Sequence, residues 1–73
     1  MNSIEKLVYM ANQIARNLET EGDKAAEMTA AHIVAFWDPR MKGMILSHLD
    51  AGGEGLSAAA RAALGKVRAA AHA

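Results

Sequence analysis

The sequence predicts an all-α protein: a small bundle of three amphipathic helices followed by an Ala-rich C-terminal helix. Three observations lead there. Apolar residues recur at steps of three and four through residues 4 to 49. Helix-stopping and helix-capping residues divide that pattern at "TEGD", "DPR" and "DAGGEG". Finally, 17 of the 73 residues are Ala, the strongest helix former, and they dominate the C-terminal segment.

In the first helix, Ile4, Leu7, Val8, Ala11, Ile14, Ala15 and Leu18 share one side, while Glu5, Lys6, Tyr9, Asn12, Gln13, Arg16 and Asn17 occupy the other. Asn2 or Ser3 can cap its start, and Glu5 lies three after Asn2 in the spacing of a capping box. "TEGD", residues 20 to 23, ends the helix. Gly22 tolerates a left-handed C-terminal position and Asp23 can cap the helix that follows, so the first two elements should form a hairpin.

The second helix runs from about Lys24 to Trp37. Ala26, Ala30, Ile33, Val34 and Trp37 form one stripe, and Met28, His32 and Phe36 form an adjacent one. An apolar arc wider than the ~100° one neighbour needs implies contact with two elements, either two helices of this chain or one helix and a partner. Pro39 then disfavours helical geometry at Asp38, but it suits the first position of a new helix that Asp38 can cap. The third helix, about Pro39 to Leu49, groups Met41, Met44, Ile45 and Leu49, and "DAGGEG" closes it. Residues 1 to 56 make up this three-helix domain. From Ser57 the chain reads "SAAARAALGKVRAAAHA", in which only Leu64 and Val67 are larger apolar groups. Helix propensity there is high and capacity to bury surface is low, so residues 57 to 73 are either docked or frayed.

Composition limits the function. A domain of this size buries only about 60% of the surface its unfolded chain exposes, leaving little room for an internal active site. The absence of Cys removes disulfides, thiolate metal ligands and a thiol nucleophile, and it suits a reducing compartment. "MNSIEKLVYM" lacks the basic start and apolar run of a secretory signal, and no segment approaches the ~20 apolar residues of a membrane span. A cytoplasmic location is expected, with no membrane contact. Net charge is zero, although residues 1 to 56 hold five Lys or Arg against eight acids while residues 57 to 73 hold three cations and no acid. This balance disfavours a nucleic-acid partner, including a small helical DNA-binding regulator, because phosphate neutralisation supplies much of such affinity. The three terminal cations read as solvated groups suited to a helix C-terminal dipole.

No chemical motif stands out. "AGGEG" matches neither phosphate-loop pattern, follows no strand and carries Glu54, so it reads as a helix cap and turn before a Ser57 cap. His32 and His48 fall on different helices without metal-ligand spacing, and His72 lies at a fraying end. Met41 and Met44 belong to a core stripe. Trp37 beside Arg40 admits two readings, core centre or interface anchor, since Trp and Arg dominate interface hot spots.

"KLVYMANQIARNLE" followed by "HIVAFWDPRMKGMILSHLDAGGEGLS" resembles the delta subunit of soluble, cytoplasmic NAD-dependent molybdenum formate dehydrogenases. The resemblance covers residues 4 to 64. It lies in the order of a MANQI helix, a His-Ile helix ending in FW-D-PRM, and a helix ending in HLDAGG-GL. It implies a noncatalytic accessory subunit beside a catalytic alpha subunit holding bis-molybdopterin guanine dinucleotide and iron–sulfur clusters, with FMN, the NAD site and further clusters on beta and gamma subunits. The complex converts formate and NAD⁺ to CO₂ and NADH. The chain itself is expected to hold no cofactor or metal and to support assembly and stability of the alpha subunit. Departure after molybdenum-cofactor insertion, as a maturation chaperone would, is the alternative. The expected partner-binding residues are Phe36, Trp37, Asp38, Pro39 and Arg40, because a Pro-fixed corner loses little conformational entropy when its side chains are immobilised.

Overall fold

Four α-helices in the order expected make up the computed structural model, which describes residues 2–71: α1 (Ser3–Asn17), α2 (Ala25–Phe36), α3 (Pro39–Asp50) and α4 (Ala58–Ala71). A 3-10 turn, Glu19–Lys24, joins α1 to α2, and no strand occurs among the described residues. His72 lies outside them.

Asn2, rather than Ser3, caps α1 by accepting a 2.8 Å bond from the Glu5 N–H. Leu7, Ala11 and Ala15 are buried along α1, and Val8 and Ile14 pack beside them. The α1–α2 junction differs from expectation. α1 stops at Asn17, ahead of "TEGD", and the chain tightens into the 3-10 turn, with Gly22 at φ +61° forming a break within it. Asp23 does not cap α2. The Ala25 N–H is already bonded to the Gly22 carbonyl, so the 3-10 backbone supplies an acceptor that a capping side chain would otherwise provide.

The corner after α2 forms as its residues dictate. Trp37 leaves the helix in an extended conformation, Asp38 accepts a 2.8 Å bond from the Met41 N–H, and Pro39 takes the first position of α3.

α4 is docked. α2 packs on α4 more extensively than any other two elements pack on each other. Ala60, Ala63, Leu64 and Val67 are all buried, in one core with Ala30, Ile33, Trp37, Ile45, Leu46 and Leu56. Ala contributes little transfer free energy, but its small side chain lets two helix backbones approach closely. The Leu and Ile beside it then bury fully, with Ile33 and Leu64 both at zero exposure. The low burial capacity read from the tail's composition thus understates its packing. The radius of gyration, 11.0 Å, is the value expected for a folded chain of this length, about 11 Å.

Two cations read as solvated are instead structural. Arg61 donates to the Gly53 carbonyl at 2.9 Å. Arg68 donates to the Leu46 carbonyl at 3.0 Å and pairs with the Asp50 carboxylate. Arg61 thus meets a carbonyl just beyond the C-terminal end of α3, and Arg68 adds a second donor to one near its last turn.

Candidate functional site

At the corner, neighbouring residues divide sharply. Trp37 is 4% exposed and belongs to the core, whereas Phe36 is 74% exposed. The core reading of Trp37 therefore holds, and Trp37 can act on a partner only by holding the corner from inside. The Asp38 carboxylate is occupied by the α3 cap, and Pro39 and Arg40 lie on the surface. Of the five expected contact residues, Phe36, Pro39 and Arg40 are thus presented outward with no competing internal task.

Arg40 sits in the first turn of α3, which contains no acidic residue. A cation there opposes the helix macrodipole at a cost of ~0.3–1 kcal/mol. Arg40 makes no ion pair among the described residues, and only the Asp38 carboxylate at the cap offsets part of that cost. Three positions on, Gly43 occupies the helix interior, where Gly is about 1 kcal/mol worse than Ala. A Cβ at Gly43 would meet nothing within 4 Å, so packing within this chain does not require the Gly. Arg40, Gly43 and Ser47 line one shallow hollow on the outer face of α3. Two locally unfavourable choices on one exposed face suggest a demand from outside the chain.

The second apolar stripe of α2 is open to solvent. Met28 is 38% exposed, and the His32 ring lies against Phe36 with centroids 4.7 Å apart and planes at 37°. Across the groove stand Tyr9, 58% exposed, and Met10, 39% exposed. Sequence reasoning placed Tyr9 on the polar side of α1 and left Met10 unassigned. The available signal was Met28, His32 and Phe36 at i, i+4 and i+8 on a helix whose arc was too wide for one neighbour.

At the far end of α3, the glycine turn is tied internally. The Asn12 side chain donates to the Gly55 carbonyl and accepts from the Ser57 N–H, both at 2.9 Å. His48 donates through Nε2 to the Glu54 carbonyl at 2.8 Å, which assigns the hydrogen to that nitrogen. Gly53 has φ +63°, and a Cβ there would lie 3.0 Å from Arg61 Nη1 and 3.2 Å from Leu56 Cδ1. Ser57 caps α4 by accepting from the Ala60 N–H at 3.1 Å. These residues are committed to holding α1, α3 and α4 together.

Residues 6–64 match the family described as NADH-dependent formate dehydrogenase delta subunit FdsD. The chain belongs to that family. The match spans α1 through the first half of α4, and it includes the corner, the open stripe and the glycine turn. No curated protein and no solved structure matches the chain. No helix among the described residues is long and apolar enough to cross a membrane.

Iron–sulfur clusters need thiolates, and the chain has no Cys. Among the described residues, no three His, Cys, Asp or Glu side chains stand together as a metal site would require.

Proposed function

We propose that the chain is a noncatalytic accessory subunit that binds the molybdenum-containing alpha subunit of a cytoplasmic NAD-dependent formate dehydrogenase and supports its assembly and stability. Membership of the delta family across residues 6–64 carries this reading. Molybdopterin, iron–sulfur, FMN and NAD chemistry then resides on the alpha, beta and gamma subunits, and this chain contributes surface. The contact begins at the Phe36–Arg40 corner and continues onto the outer face of α3. There Arg40 and Gly43 are suited to a partner: an exposed cation in no ion pair among the described residues, and a place where another backbone can come close.

Replacing Arg40 tests this in two readouts. Arg40→Ala should weaken binding to the alpha subunit by about 2 kcal/mol, roughly thirtyfold, as loss of an interface hot spot does. The isolated variant should stay within about 0.5 kcal/mol of the parent, because Arg40 is exposed and the dipole cost its removal relieves is opposed by the attraction to Asp38 that is lost. A titration against the alpha subunit, with circular dichroism as the folding control, measures both. Unchanged affinity removes the corner's cation from the interface. Purification of the intact dehydrogenase at high salt, with this chain retained at fixed stoichiometry, separates a resident subunit from a chaperone that departs.

A further inference from the structure

We infer that the groove between α1 and α2, lined by Tyr9, Met10, Gln13, His32 and Phe36, receives an uncharged apolar segment of the catalytic subunit. This rests on the reading of the chain as a subunit of that complex, and it specifies a surface and a partner chemistry that the reading leaves open.

The groove has a volume of about 390 Å³, and Met41 of α3 is also in its lining. Its lining contains no Asp, Glu, Lys or Arg, although these make up 22% of the chain. An uncharged, aromatic and Met-bearing patch has the composition of an interface centre, from which charged residues are depleted. It favours an uncharged partner over an anionic or phosphorylated one, because no Lys or Arg stands in the lining to meet a negative charge.

Area points the same way. Phe36 and Tyr9 together leave on the order of 250 Å² of aromatic side chain in water. With Met10 and Met28 the patch approaches the ~450 Å² of non-polar surface on one side of a standard-sized interface. Phe36 is also the hinge between this face and the corner, so one partner surface can cover both without a gap. The two Met side chains can repack around whichever aliphatic or aromatic groups enter.

The test uses full-length chain and the formate dehydrogenase of the same source prepared without it. Phe36→Ser should lower affinity about thirtyfold or more, and Tyr9→Ser should lower it measurably, while thermal unfolding of either isolated variant stays near that of the parent. In Arg40→Ala, the affinity that remains should change less than about twofold between low and high salt, because a charge-free contact is barely screened. If the parent chain does not bind the dehydrogenase, the subunit reading fails and this inference with it. If the parent binds and both Ser variants bind equally well, the groove is not the contact and the subunit reading stands. A steep salt dependence would overturn the uncharged partner chemistry. A Phe36-dependent homodimer in sedimentation would identify a second copy as the occupant and overturn the assignment to the catalytic subunit.

Discussion

The glycine turn at residues 51–57 and the corner at residues 36–40 stand at opposite ends of α3, and they use their distinctive residues in opposite ways. At the turn, polar groups face inward: Asn12 clamps Gly55 and Ser57, His48 holds the Glu54 carbonyl, and Arg61 holds that of Gly53. At the corner, Trp37 and the Asp38 carboxylate are used internally, but Phe36 and Arg40 project outward with no such bonds among the described residues. Both regions lie within the stretch that defines the family. The difference shows that distinctive residues within one matched stretch need not share a purpose. Those of the turn secure the bundle, while the outward half of the corner is available to a partner.

The largest effect expected is within the corner itself. Trp37→Ala should remove about 3–5 kcal/mol of stability, since it empties a large buried site. A chain of this length has about 4–11 kcal/mol in total, so the variant should melt far below the parent, and should be unfolded if the parent lies at the low end of that range. If Trp37→Ala melted normally, the corner would not be anchored from inside.

Asn12→Ala should come next, at about 2 kcal/mol. It breaks two hydrogen bonds that join α1 to the glycine turn, each worth about 1 kcal/mol, with water left to meet the exposed Ser57 N–H and Gly55 carbonyl. Urea titration of the isolated chain measures this, and any loss of assembly should follow from the lost stability. A smaller and opposite change is expected from Gly43→Ala. It should stabilise the isolated chain by about 0.5–1 kcal/mol, as removing an interior helix Gly does where the new methyl has open space. Destabilisation would show that Gly43 serves the fold of this chain and not a partner's approach.

What could be seen in the sequence follows from the range of the forces involved. Asp38–Pro39 speaks for itself, because Pro restricts the residue before it and Asp is a strong cap, and the corner forms as those two residues require. The three-four spacing of Leu7, Ala11 and Ala15 likewise identifies the buried side of α1. The docking of α4 could not be read so easily. Ala60 and Ala63 are buried because α4 packs on α2, and single-helix composition carries no record of its neighbour. The Asn12 clamp was hidden for a related reason. Its partners lie 43 and 45 residues away along the chain, so Asn12 resembled any polar residue on an exposed helix face. Arg61 and Arg68 gave the same misleading impression, since a cation on an Ala-rich helix looks solvated until the carbonyls it reaches are known. Of the proposed docking face, the exposed positions Phe36, Pro39 and Arg40 stood out in the sequence through the turn chemistry beside them. Tyr9 and Met10 were not, because they join the face only when α1 lies beside α2.

The most direct test of the division between turn and corner is to measure Phe36→Ser and Asn12→Ala side by side, each for thermal unfolding of the isolated chain and for affinity to the delta-free dehydrogenase. Phe36→Ser is predicted to unfold within about 0.5 kcal/mol of the parent, as exposed substitutions do, and to bind about thirtyfold more weakly. Asn12→Ala is predicted to lose about 2 kcal/mol of stability and, below its melting range, to bind like the parent. The reverse pattern would contradict the account: Phe36→Ser destabilised with its affinity intact, or Asn12→Ala stable with its affinity lost.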